Sequence, residues 1–466
     1  MGAESTDNEP KLALMCLYPD WGHVKPLLNI AFVAAENGFD VRFFIPNAAS
    51  RLIEDHGFPV TRINIDSGED MARLFRTLSR KNAFSLNFSG YSHTNLLIYP
   101  SMLQQAFENM DYLKGEFRNF SPDLMICDSH LFGSIYENLS KSTDTPMLIN
   151  DPSGTLAATY RLFDRYFGLK RNVPAFAKTA VESAGLLHEF LYRRAFYLFH
   201  WRKYLDARDI KAKIRKTLAE DMKHPPIRPA VRNELTLGLG WIELEILRER
   251  GTGGDDRKRY FPPAIASREK ISKELLDWMT AKDGIIYVSL GSIISLTLKD
   301  IEGLVSSFKE LGRPVIWSTP KYDFSIVKSV IGDDPRFFVT TYVAQATLLR
   351  DPRVALFVTH GGANSVQEAL LAGTPMLCVP FYADALYIAS LVERLGTGMI
   401  VPKRQLRAGN SLANAIRQIA QDSSYAKRAK KVSAHIQVGS AASNLGQFLR
   451  DSSRPRTPSQ PEMAAI

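Results

Sequence analysis

Between Leu356 and Ala385 the sequence runs LFVTHGGANSVQEALLAGTPMLCVPFYADA, and its polar residues collect at the turns. His360, Gly361 and Gly362 follow a short apolar strand pattern, Ala355 to Thr359, and the glycines let the backbone come close to a ligand. Asn364 or Ser365 then supplies an N-cap for a helix from Val366 to Ala372. Gly373 stops that helix and Pro375 forbids its continuation. Free amides and a helix N-terminus make a site for an anion such as a phosphate. A second histidine, His23, comes just after the first strand pattern of the chain, Leu12 to Tyr18. In an open parallel sheet ligands bind outside the C-terminal ends of the strands, which is where His23 falls.

Taken in order, His360, Gly362, Asn364, Ser365, Glu368, Gly373, Pro375, Pro380 and Asp384 resemble the donor-binding signature of family 1 glycosyltransferases, the UDP-glycosyltransferase superfamily. Each residue alone is an ordinary turn, cap or loop residue, and the ordered set carries the resemblance. It implies an α/β chain of the GT-B type, two Rossmann-like domains facing each other across a cleft. It also implies that His360 and the glycine-turn amides hold the diphosphate, that Glu368 takes the ribose hydroxyls and that Asp384 takes sugar hydroxyls. Upstream, where the family has Trp-x-Pro-Gln, this chain has Tyr342, Val343, Ala344 and Gln345, and a tyrosine can still stack under a uracil. The donor set expected from the resemblance is Gly22, Ser292, Tyr342, Gln345, His360, Gly362, Asn364, Ser365, Glu368 and Asp384. Ala385 stands where the family usually has glutamine, so one sugar-binding amide is missing. Glucose remains the expected sugar, with looser selectivity.

Trp21, Gly22, His23 and Pro26 resemble the family's Gly-His-x-x-Pro element, whose histidine is the catalytic base. Asp128, after the strand Asp123 to Cys127, stands where a family aspartate orients that histidine. The chemistry implied is deprotonation of an acceptor hydroxyl as it attacks the anomeric carbon opposite a departing UDP, with inversion. Cofactors are not expected beyond the UDP-sugar co-substrate. No Asp-x-Asp, Walker A lysine loop, Gly-x-Ser-x-Gly elbow or zinc spacing occurs, so metal-dependent transfer, NTP hydrolysis and esterase chemistry are disfavoured.

These residues need a scaffold, and the pattern around them alternates strand and helix. Leu12 to Tyr18, the loop Pro19 to His23, a helix with Leu27, Ile30, Ala31 and Ala34 on its apolar face, and Val41 to Ile45 make a βαβ opening without the G-x-G-x-x-G of a dinucleotide site. The alternation resumes at Ile285 to Leu290, entering Gly291 and Ser292, and continues through Pro314 to Ser318 and Phe337 to Thr340. Four segments follow: an acceptor-binding domain over 1–250, a glycine-rich charged linker over 251–262, a nucleotide-sugar domain over 263–450 and a disordered tail over 451–466.

The 466 residues favour two domains, and 45% hydrophobic with 23% charged residues suit a soluble globular enzyme. A net charge of +9 suits an anionic ligand and equally suits a generally basic surface. Cys16, Cys127 and Cys378 lie in apolar runs, and the first ten residues lack the apolar core of a signal peptide, so a cytoplasmic protein with reduced thiols is expected. Phe84, Phe88 and Tyr91 cluster where an apolar or aromatic small-molecule acceptor, such as a phenolic, polyketide or sterol, would enter. The aromatic and basic stretch from Tyr160 to Lys216 reads as an acceptor entrance, a weak membrane-surface contact or a solvated helix face, and no nucleic-acid module is present. Two other classes fit a related fold, a sugar-nucleotide epimerase or isomerase and a non-catalytic nucleotide-sugar-binding subunit. His23 with Asp128 argues against the second.

Overall fold

The computed structural model describes residues 9–18, 21–65, 99–128, 132–150, 233–242, 258–264, 269–292, 294–381, 385–407, 411–441 and 444–453, with short stretches between 205 and 217 and Ile246. The aromatic candidates Phe84, Phe88 and Tyr91, the donor candidate Asp384, most of the 160–216 stretch and the tail after Ser453 lie outside the described residues.

Two all-parallel sheets carry the chain. The first has strands β1 (Lys11–Met15), β2 (Asp40–Pro46), β3 (Val60–Ile63), β4 (Leu124–Cys127), β5 (Met147–Asn150), β6 (Asn233–Leu237) and β7 (Lys258–Phe261) in the order β3-β2-β1-β4-β5-β6-β7. The second has β8 (Ile285–Ser289), β9 (Val315–Ser318), β10 (Phe337–Thr340), β11 (Val354–Thr359), β12 (Met376–Cys378) and β13 (Gly398–Ile400) in the order β10-β9-β8-β11-β12-β13. Each order reverses direction once, between β1 and β4 in the first sheet and between β8 and β11 in the second. At such a switch point the loops leaving adjacent strands diverge and open a crevice.

Helices cover these sheets. In the first domain they are α1 (Trp21–Glu36), α2 (Asn47–Glu54), α3 (Tyr99–Glu108), α4 (Met110–Phe120) and α5 (Gly133–Ser142), followed by the short α6 (Leu239–Trp241). In the second they are α7 (Lys273–Met279), α8 (Leu298–Leu311), α9 (Lys321–Ile331), α10 (Gln345–Leu349), α11 (Ala363–Ala372), α12 (Ala385–Leu395), α13 (Ser411–Gln421) and α14 (Ser423–Ala441), with α15 (Leu445–Ser453) at the end. Strands buried on both faces read as continuous apolar runs, and β8 shows why. Ile286 and Val288 enter the core on one side of the sheet while Ile285 and Tyr287 enter the core on the other. Cys16, Cys127 and Cys378 are buried and none is in a disulfide among the described residues.

Several sequence boundaries move. β7 takes the end of the segment expected to be a linker into the first sheet, where Lys258 pairs with Glu234 and Phe261 with Leu237. The last helix, α15, returns to the first domain: Leu445 and Leu449 join its core, and Arg450 Nη1 donates to Asn37 Oδ1 at 3.0 Å. Its span, Leu445–Ser453, crosses the expected boundary between the C-terminal domain and the tail. His23 was expected in a loop but lies in the first turn of α1, and α11 starts at Ala363 with Gly362 as its N-cap rather than Asn364 or Ser365.

The loop after β8 is held by a buried carboxylate. Thr297 and Asp300 form a capping box at the start of α8, and Asp300 also accepts from Arg407 Nε at 2.6 Å. Burial alone would raise the Asp300 carboxyl, but the bonds from Arg407 and Thr297 outweigh it and hold the group below its ordinary value. A carboxyl depressed in the folded state adds stability above its unfolded pKa and loses it as pH falls through the folded one. Asp300→Asn is therefore expected to lower the unfolding free energy by about 1–3 kcal/mol at neutral pH in urea titration, with the deficit shrinking in acid.

Candidate active site at the interdomain cleft

The first switch point brings together residues 105 apart in sequence. Because β1 and β4 are hydrogen-bonded neighbours, with Met15 opposite Cys127, the segments that leave them begin side by side. His23 Nδ1 lies 2.9 Å from Asp128 Oδ2. The His23 side chain is 30% exposed and that of Asp128 is fully buried, so the imidazole reaches the cleft while its partner does not. With a carboxylate facing Nδ1, the ring hydrogen resides there and Nε2 is the basic nitrogen. Tyr18 packs against the ring with centroids 4.5 Å apart.

Asp128 is itself held. Tyr136, on α5, donates its hydroxyl to Asp128 Oδ1 at 2.6 Å and accepts from the Leu17 amide at 3.1 Å. Burial, then the neighbouring Asp128 charge, push the Tyr136 phenol well above its ordinary value, so it stays a donor. Tyr136 was not singled out in the sequence. Its spacing from Asp128 places it one helix turn into α5, but an isolated tyrosine in that helix carries no signal until the fold is known. Asn150 is a second such residue. It ends β5, one strand from β4, and its buried carboxamide meets no hydrogen-bond partner among the described residues.

The second switch point holds the donor candidates. His360 follows β11 and is packed between Gly291 and Gly362: a Cβ on Gly291 would lie 3.0 Å from the ring, and one on Gly362 would overlap it. These glycines, with Gly361 at φ 82°, are required by the close approach of imidazole and backbone. Burial lowers the His360 pKa to about 4, and its Nδ1 meets no partner among the described residues. A neutral imidazole thus stands beside the uncapped start of α11, where Gly362 offers no side chain to the first-turn amides.

Behind it, four residues form one network. Tyr287 donates its hydroxyl to Gln345 Oε1 at 3.0 Å, and Gln345 Nε2 donates to Ser365 Oγ at 3.2 Å and to Glu368 Oε2 at 2.6 Å. The Glu368 side chain is fully buried. Tyr342 stands apart, 63% exposed, with its hydroxyl donated to Glu269. Ser292 is exposed after β8 and its carbonyl accepts from Tyr322 at 3.0 Å. Ala385, at the start of α12, is buried, and its carbonyl faces Gly361.

The two openings face each other. Asn364 Nδ2, in the first turn of α11, donates to the carbonyl of Gly22 in α1 at 3.4 Å, and Lys25 of α1 pairs with Glu368. The imidazole that can accept a proton and the amides that can hold an anion therefore meet across one cleft. Among the described residues no cluster of three or more metal-ligating side chains occurs, and no helix is long and apolar enough to cross a membrane.

A histidine kept neutral in the fold but free to protonate when unfolded makes the unfolded chain bind more protons between the two pKa values. Stability should therefore fall as pH drops from the ordinary histidine value of 6.5 toward about 4. His360→Gln is expected to flatten part of that slope in denaturant titrations at several pH values; an unchanged slope would show that the ring titrates normally.

The family model for UDP-glucoronosyl and UDP-glucosyl transferases matches residues 264–437, the second domain. An uncharacterized UDP-glucosyltransferase of Bacillus subtilis strain 168, YojK, is 21% identical over 96% of this chain and 98% of its own length. UDP-glucuronosyltransferase 3A1 of Xenopus laevis is 34% identical, over 35% of this chain and 31% of its own length. Among solved structures, the kitacinnamycin glycotransferase superposes over 96% of this chain and all of its own, with a TM-score of 0.64 at 15% identity. A UDP-glucose: anthocyanidin 3-O-glucosyltransferase in complex with UDP matches over 96% of this chain and 99% of its own, with a TM-score of 0.63 at 15% identity. The fold is GT-B. The second domain, residues 264–437, thus matches the UDP-glycosyltransferase family, and the full-length relatives and structural neighbours support a UDP-sugar glycosyltransferase.

Proposed function

We propose that this enzyme transfers glucose from UDP-glucose to a hydroxyl of an apolar small-molecule acceptor, such as a phenolic, polyketide or sterol, with inversion and without a metal. The observation that carries the proposal is the Tyr136–Asp128–His23 chain ending in a part-exposed imidazole opposite the His360 and α11 anion site. In this reading His23 Nε2 takes the proton of the acceptor hydroxyl as its oxygen bonds to the anomeric carbon. The bond from that carbon to the diphosphate oxygen breaks on the opposite face, which inverts the centre. Asp128 stabilises the imidazolium that forms, and Tyr136 keeps Asp128 from turning away.

The departing diphosphate gains negative charge, which a neutral His360 donor and the amides of α11 can hold without a metal ion. Ser292, Gly362 and Ser365 line the same opening. Glu368 and Gln345 are positioned as the polar partners of a ribose, and Tyr342 as an exposed ring for a uracil. Glucose is supported by the glucosyltransferase names among the relatives, and an aromatic acceptor by the anthocyanidin enzyme of the same fold. Asn150, at the C-terminal end of β5 beside β4, has a carboxamide with no partner among the described residues and offers it to a polar group of the acceptor.

A UDP-release assay across phenolic, polyketide and sterol acceptors with several UDP-sugars tests the whole reading. UDP is expected mainly when UDP-glucose and an acceptor are both present, and turnover of donor without acceptor would favour an epimerase or isomerase instead. His23→Ala should lose about 10²- to 10⁴-fold in turnover with UDP binding retained, and Asp128→Asn should lose less if its part is orientation. Turnover should persist in chelator; complete dependence on added magnesium or manganese would sink the metal-free mechanism.

A further inference from the structure

Lys25 lies two residues beyond His23 on α1, and its ammonium is bonded to Glu368 Oε1 on α11 of the other domain. The other carboxylate oxygen, Oε2, already accepts from Gln345 Nε2 at 2.6 Å. Each oxygen of the carboxylate assigned above to the ribose therefore already carries a protein donor, one of them from across the cleft. Ribose hydroxyls are also donors, and they compete with these groups for the same carboxylate. Gln345 belongs to the same domain as Glu368 and is part of its lasting support through Tyr287. Lys25 differs, because its bond bridges two domains and ends on a flexible four-carbon stem that is 20% exposed and can swing away.

We propose that Lys25 is an internal competitor of the nucleotide ribose. It occupies Glu368 when the donor site is empty, leaves when UDP-sugar docks, and returns to Glu368 as UDP departs. The proposal rests on Glu368 as the ribose partner. A buried carboxylate stripped of its partner is costly, so Lys25 protects the empty site while keeping UDP from binding too tightly. The ammonium must be displaced by whatever binds, so it lowers apparent affinity for donor and product together. For a transferase whose product carries the same uridine as its donor, weaker retention of UDP favours turnover.

Calorimetry of UDP with the full chain, together with stopped-flow displacement of bound UDP, tests this. Lys25→Met keeps the stem and removes the charge. It is expected to tighten UDP binding about tenfold, on the scale of one charge-assisted bond, and to slow UDP dissociation by a similar factor. Glu368→Gln should weaken UDP binding, and adding Lys25→Met to it should bring no further tightening, since the competitor then has no carboxylate to hold. Lys25→Gln keeps a neutral donor and should fall between wild type and Lys25→Met, which provides the measurement if the methionine variant does not fold. Unchanged or weaker UDP binding in the folded Lys25 variants, with Glu368→Gln still impaired, would overturn the competitor role and leave the ribose assignment standing. Unchanged binding in Glu368→Gln would remove the ribose assignment itself.

Discussion

The bond between His23 and Asp128 joins residues 105 apart and exists because β1 and β4 are adjacent where the first sheet reverses its strand order. Everything proposed for the acceptor side depends on that adjacency. A parallel sheet cannot bring its strands together through hairpins; it needs crossovers, and each crossover returns the chain to the same edge. His23, Asp128 and Asn150 therefore leave neighbouring strands at one rim. The second sheet repeats the device, so that Ser292 and His360 emerge beside each other after β8 and β11. Facing the two rims puts a basic imidazole opposite a helix N-terminus, which is the least a transfer between an acceptor hydroxyl and a nucleotide-bound sugar requires.

The local turn and helix around His360 were far more legible in the sequence than the contacts made across the chain, and the reason is physical. A phosphate site needs glycines where backbone must come close, a helix start and an imidazole, and these sit within a few residues of one another from His360 to Glu368. Local spacing therefore encodes local geometry. The strands β8 to β11 were legible for a related reason, since their apolar runs face cores on both sides of the sheet. The helix cap was misread because asparagine and serine are strong N-caps in isolation. Here the cap comes earlier, at Gly362, two residues before Asn364, and the His360 ring leaves no room for a side chain there.

Apart from the His23–Asp128 pair, which the resemblance supplied, roles created by distance along the chain were not conveyed by the sequence. Tyr136 matters because it reaches Asp128, and Lys25 matters because it reaches Glu368, 343 residues away. Neither residue type is unusual in its own helix. The end of the expected linker is similar: charged Lys258 and Arg259 looked like loop, yet they belong to β7 at the edge of the first sheet. Helix α15 returns to the first domain because its apolar residues Leu445 and Leu449 find a core there, which no local pattern announces.

The cleft also shows how one charge arrangement can serve two states. With no nucleotide, Glu368 is the buried negative charge and Lys25 answers it from the other domain. In the proposed function a diphosphate reverses the balance, because it brings negative charge to a region where His360 is neutral and the α11 amides are uncapped. A positively charged His360 would hold the anion more strongly, in the bound donor and the departing product alike. A neutral donor supplies hydrogen bonds without that uniform attraction, so more of its effect is available where charge develops, on the leaving oxygen in the transition state. Burial of His360 between two glycines thus does more than save space. It sets the charge state in which the anion site can favour departure of the nucleotide over its retention.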